Sequence, residues 1–166
     1  MNPARFIASQ DSLAAFTRTN YRGGQELLLH EIAACMEPGW VVWLPFLSSG
    51  TLARHLRGMG HPVRVGLEMN LTGVDVMYFG TPTIVNDGPL FPEDAGGIAW
   101  TKSLERSRVR GLVKRAADAG VRMIISGLGS GDISPEERCA DMGPGAVVVA
   151  IKHFDDFTDW VFRRNL

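Results

Sequence analysis

The residues best placed to do chemistry sit in four short turns, each following an apolar run. They are residues 46–50 (Phe46-Leu47-Ser48-Ser49-Gly50), residues 67–70 (Leu67-Glu68-Met69-Asn70), residues 79–83 (Phe79-Gly80-Thr81-Pro82-Thr83), and the glycine-rich stretch from Ser126 to Gly131. Glycine or serine between a strand and a helix lets backbone N–H groups approach a ligand, and the helix N-terminus behind them favours negative charge. An acid at the end of a strand, here Glu68, accepts hydrogen bonds from ribose hydroxyls. The chemistry is recognition of a nucleotide-like molecule. The layout does not choose among NAD, S-adenosylmethionine and a plain turn that holds no ligand. Other acids fall outside it. Asp75 precedes its strand and is expected at the far end. Asn86-Asp87-Gly88 and Gly131-Asp132 are ordinary turn sequences, and Glu93 and Asp94 lie in the loop after Thr83. Tyr78 and Phe79 read first as core residues.

Those turns need elements to carry them. Residues 24–36 place Leu27, Leu28, Ile32 and Cys35 at helical spacing and end at Pro38-Gly39, which predicts a helix. Residues 40–46 form a nearly unbroken apolar run, the pattern of a strand covered on both faces. A helix is predicted over 51–59, closed by Gly60, and strands over 62–67, 74–79, 121–126 and 145–152. The longest helix is predicted over 100–119. Its apolar stripe is Leu104, Val109, Leu112, Val113 and Ala116, and Arg106, Arg108, Arg110, Lys114 and Arg115 read as its solvated face. Residues 135–138 read as a short acidic turn. Residues 154–166 read as a C-terminal helix, with Phe154, Phe157, Trp160, Val161 and Phe162 on one face, which packs on its own domain or, as the alternative, offers a docking surface to a protein partner. Strands alternating with helices predict an α/β protein with a doubly wound, mostly parallel sheet in a three-layer αβα arrangement. One domain over 1–166 is expected, with 1–19 as an N-terminal extension and an antiparallel edge among the late strands.

The balance of charge narrows the function. Lys and Arg number 17 against 18 Asp and Glu, a formal net charge of -1. A dedicated nucleic-acid binder neutralises phosphates with a basic face, so DNA contact is expected only weakly or through a partner. Cys35 and Cys139 lie outside any Cys-x-x-Cys pair and the four histidines are scattered, which argues against a zinc site and for buried, reduced thiols. No run approaches the ~20 apolar residues of a membrane span. With no leader-like pattern in residues 1–10, the expected compartment is the cytoplasm.

In order and spacing, these segments resemble the Dam-type DNA adenine methyltransferases from residue 20 to residue 151. Asn20-Tyr21-Arg22-Gly23-Gly24-Gln25 is similar to the family's aromatic-x-Gly-Gly-Lys loop, and Leu44-Pro45-Phe46-Leu47-Ser48-Ser49-Gly50 to its acidic-Pro-Phe-x-Gly-x-Gly turn. Glu68-x-Asn70 stands where the family has Asp-x-Asn. Met77 to Thr83 stands where it has hydrophobic-Tyr-x-Asp-Pro-Pro-Tyr. The resemblance implies a Rossmann-like methyltransferase fold and S-adenosylmethionine as cofactor. It places Tyr21, Gly23, Gly24, Gln25, Phe46, Gly50, Glu68 and Asn70 around the cofactor. Phe79, Gly80, Thr81, Pro82 and Thr83 then line the substrate pocket.

The departures fall on the reacting groups. The family holds its target amino group with a carboxylate and a prolyl carbonyl, and stacks an aromatic ring on the flipped base. Here those positions are Gly80, Thr81, Pro82 and Thr83, without the acid or the final ring. Leu44, Gln25 and Ser48 replace an acid, a lysine and a glycine. Only Leu71-Thr72-Gly73 separates Asn70 from the next strand, where the family inserts its target-recognition region. Three readings follow. One is an accessory or ligand-binding module with lost or altered catalysis. A second is an active, phage-borne DNA methyltransferase with a noncanonical motif. The third is a small-molecule enzyme on the same scaffold, centred on Asp132 and the 127–131 loop.

Overall fold

The computed structural model describes residues 28–46, 50–67, 70–81, 102–127, 133–153 and 158–166. Six strands form one sheet: β1 (Val42–Leu44), β2 (Val63–Val65), β3 (Val76–Thr81), β4 (Arg122–Gly127), β5 (Val147–His153) and β6 (Thr158–Arg164). Among the described residues four helices flank it: α1 (Leu29–Ala33), α2 (Thr51–Gly58), α3 (Lys102–Asp118) and α4 (Pro135–Met142). The strand order is β2-β1-β3-β4-β6-β5. The first four strands run parallel, and β6 inserts antiparallel between β4 and β5. The expected α/β class and mostly parallel sheet are what the chain forms.

Alternation along the strands sends side chains into two cores. Val42, Leu44, Val76, Tyr78, Ile124 and Val161 face α1 and α2, meeting Ile32, Ala33, Leu52, Ala53 and Leu56. Trp43, Met77, Phe79, Met123, Ile125 and Phe162 face the other way, against Val109, Leu112, Val113 and Ala116 of α3 and Met142 of α4. All three residues of β1 are buried, so it has no solvent face and its apolar run is continuous. Leu52 and Leu56, four apart on α2, are both 0% exposed, and burial of each contributes on the order of 2 kcal/mol.

Three sequence expectations are corrected. Residues 135–138 belong to the two-turn helix α4, not to a turn. Ser134 Oγ accepts from the Glu137 N–H, and the Glu137 carboxylate accepts from the Ser134 N–H, each at 3.1 Å. Pro135 opens the helix. Ser-Pro-Glu-Glu is a capping-box sequence, so the signal was present in the chain.

The expected C-terminal helix is instead strand β6 over Thr158–Arg164. Trp160-Val161-Phe162 fits a helix by spacing, but β4 needs a partner along its open edge, and pairing there satisfies a row of backbone groups that a surface helix would leave bare. Val161 and Phe162 are 0% exposed on opposite faces, so they form no shared apolar surface for a partner. Phe154 and Phe157 lie outside the described residues.

The third correction concerns the charged face of α3. Arg106 donates to both oxygens of Asp141 at 2.9 Å and to Glu137 at 2.8 Å. Arg110 reaches Asp141 at 3.1 Å, and Lys102 reaches Glu137 at 2.9 Å. Arg115 lies 5.0 Å over the Trp43 ring. Lys114 keeps the expected exposed position, paired with Asp118. Beneath this network Arg138 binds Glu105 at 2.6 Å, with both side chains 1% exposed. Burial pushes the Glu105 carboxyl up, against the pull of Arg138.

Candidate functional site

β1 connects through α2 to β2 on one side, whereas its other neighbour, β3, connects through α3 to β4. The order reverses between β1 and β3. In open α/β sheets the ligand crevice lies outside the carboxyl ends of the strands at such a point. Leu44, Pro45, Phe46 and Gly50 come to this point from β1, and Gly80 and Thr81 from β3. Gly50 is the N-cap of α2 with φ of 82°, a left-handed conformation that glycine adopts without a Cβ penalty. α2 has no side-chain cap and no acid in its first turn. The positive end of its dipole meets no acid in the first turn, and such an end suits a carboxylate or phosphate.

The end of β2 is clipped to the same point. Gly66 N–H donates to Leu44 O at 3.0 Å. The buried Trp43 indole N–H donates to Gly66 O at 2.7 Å. Gly66 takes φ of 121°, and Leu67 turns back against the α3-side core. Sequence reading gave residues 40–46 as a covered strand and did not show that the Trp43 donor fixes the exit of the neighbouring strand.

On the β3 side, Gly80 pairs with Ser126 across to β4. The Tyr78 hydroxyl and Ser126 Oγ form a short hydrogen bond, both residues being buried. Asp159 of β6 is 0% exposed. Ser126 pairs with Val161, and Asp159, two residues before Val161, shares that sheet face. Tyr78, Gly80, Ser126 and Asp159 thus lie on the α1–α2 face toward the carboxyl edge. Asp159 was not legible while its segment was read as a helix; in a strand, Asp-x-Val puts both side chains inward.

The remaining expectations fall out as follows. Tyr21, Gly23, Gly24, Gln25, Glu68, Pro82 and Thr83 lie outside the described residues, as do Asp87, Glu93, Asp94 and Asp132. Phe46 is half-buried against the α3-side core. Asn70 is exposed, and its Oδ1 accepts from Thr72 N and Oγ1 at 2.9 and 2.6 Å, a local turn. Phe79, expected in the substrate pocket, is 1% exposed in the α3-side core, because alternation points it away from Gly80's face. Asp75 is at the amino end as expected, accepting from Val41 N–H at 2.8 Å. Cys35 and Cys139 are free and half-buried, and burial pushes both thiols up. Among the described residues no group of three His, Cys, Asp or Glu could hold a metal, and no helix is long and apolar enough to cross a membrane.

No protein-family model matches the chain, and no curated protein matches it in sequence. In structure it is similar to a Sulfolobus solfataricus protein described as a type 11 methyltransferase. The identity is 12% and the TM-score 0.50, over 87% of this chain and 94% of that one. A likeness at that identity is one of fold. The chain has a Rossmann-like methyltransferase fold.

Proposed function

We propose that this chain binds S-adenosylmethionine at the β1–β3 switch point but does not methylate a base by the carboxylate route. It then serves as an accessory or ligand-binding module related to the DNA adenine methyltransferases. The observation that carries the reading is Gly80. It ends the buried part of β3 beside the crevice, with Ser126 as its β4 partner, and it brings no carboxylate to the place where the resembling family holds an amino group. The residues around the crevice still fit the cofactor. The first-turn amides of α2 suit the carboxylate of its methionine part, and the clip between Trp43 and Gly66 holds the exit of β2 beside the end of β1. DNA recognition comes from a partner, in keeping with the net charge of -1.

The test is calorimetric titration of the full chain with S-adenosylmethionine, paired with tritiated methyl transfer to DNA. Binding that is lost in Gly50→Val, without transfer, is the expected result. Binding with transfer would overturn the accessory role, and no binding would overturn the cofactor assignment.

A second reading, active base methylation, has Asp159 in its favour. This buried acid lies on the same sheet face as Gly80, two strands away. Transfer that disappears in Asp159→Asn while cofactor binding stays would establish it.

A further inference from the structure

At the opposite, amino edge of the sheet lies a cleft of about 410 Å³ between the end of α1, Trp40, the start of β4 and the end of β6. Its volume suits a small molecule rather than a polymer. Two guanidinium groups line it, Arg122 and Arg163. Arg163 pairs with Ile124 across the β4–β6 ladder, and Arg122 is two residues before Ile124. The two arginines therefore project from one sheet face as diagonal neighbours, about 7–8 Å apart.

Neighbouring like charges repel unless something answers them. Arg122 lies 4.7 Å over the Trp40 ring, and its Nη1 has a long contact, 3.5 Å, to the Asp75 backbone carbonyl. Neither contact supplies a negative charge. The Asp75 carboxylate accepts from Val41 N–H. Arg163 Nε is buried without an acceptor. Glu37 is the acidic side chain among the described residues that line the cleft, and Leu166, which carries the terminal carboxylate in the structure, lines it too; neither makes an ion pair with Arg122 or Arg163. Asn165 adds an amide at the rim. A guanidinium presents a planar fork of donors that matches an oxyanion.

We infer that this amino-edge cleft binds a small oxyanion, carboxylate or phosphate, held between Arg122 and Arg163. The site is on the far side of the sheet from the switch point, so it is independent of the cofactor reading.

The test titrates inorganic phosphate and, separately, succinate into the full chain, following the Arg163 Nε–H resonance and the thermal midpoint. The resonance is assigned by its loss in Arg163→Gln. The expected result is a saturable shift with at least one anion. Response to phosphate alone marks a phosphate site, to succinate alone a carboxylate site, and to both a general oxyanion site. Arg163→Gln weakens the affinity about tenfold or more, the usual consequence of losing a hydrogen bond to a charged group. Asn165→Asp, an exposed change that leaves the core intact, weakens it as well by placing a like charge at the rim. An Arg163 resonance unmoved by either anion overturns the inference. So does an affinity unchanged in both variants, because the anion then binds elsewhere. S-adenosylmethionine titration of the same variants is expected to be unaltered.

Discussion

The indole N–H of Trp43 and the carbonyl of Gly66, 2.7 Å apart, tie the middle of β1 to the residue that leaves β2. This bond holds the exit of β2 beside the end of β1, where Gly66 N–H also donates to Leu44 O. Trp43 is 0% exposed, so its donor needed a partner inside the protein, and Gly66 supplies it only in this register. Trp43→Phe keeps the ring and deletes the donor. It is expected to cost about 1 kcal/mol, read as a lower urea midpoint with unchanged slope, and to weaken S-adenosylmethionine binding.

Gly50 and Gly111 should respond in opposite directions to the same substitution. Gly50→Ala forces a Cβ into the left-handed region at φ of 82°, which costs roughly 1–2 kcal/mol. Gly111 lies inside α3 with nothing within 4 Å of a built Cβ, so Gly111→Ala is expected to stabilise by roughly 0.5–1 kcal/mol. Chemical denaturation of the two variants side by side checks both.

The Glu105–Arg138 pair joins α3 to α4 with both side chains 1% exposed. Removing one partner leaves a buried charge, so Arg138→Met alone is expected to destabilise by about 3–5 kcal/mol. The double change Glu105→Leu with Arg138→Met removes both charges and should recover most of that loss. A double-mutant cycle in urea measures it. Equal losses in the single and double variants would show that packing, not charge, dominates there.

Two groups are expected to contribute to the acid limb of stability. Burial, with His30 adding, holds His55 below its ordinary 6.5. The folded state therefore binds fewer protons there than the unfolded one, and the stability it contributes is present above pH 6.5 and lost as pH falls through the folded value. The hydrogen bond from Lys102, with Ser134 adding, holds Glu137 at about 2 against an ordinary 4.5. Its contribution is present above pH 4.5 and lost as pH falls toward 2. Urea midpoints against pH should lose the upper step in His55→Gln and the lower step in Glu137→Gln.

How much of this was legible follows from what each signal depends on. The buried strands were, because residues 40–46 and Met123-Ile124-Ile125 carry nearly continuous apolar runs of the kind a doubly covered sheet accommodates. So was Gly50, because a strand-to-helix glycine turn is marked locally, and Gly50 caps α2 in the left-handed conformation. The solvated face assigned to α3 was not. A helix shows its charges in sequence but not the acids that another helix brings to them, and Arg106 meets Asp141 only once α4 docks.

By itself, the sequence determined the α/β alternation, the glycine turn at Gly50 and the absence of an acid at Gly80, since each rests on residues near one another in the chain. Tertiary structure alone decided that residues 158–164 become a strand, that Asp159 turns inward, and that Arg122 and Arg163 stand side by side. Those facts depend on which edge was left to pair and on what packed across it. Local spacing carries no information about a strand partner about 40 residues away in the chain.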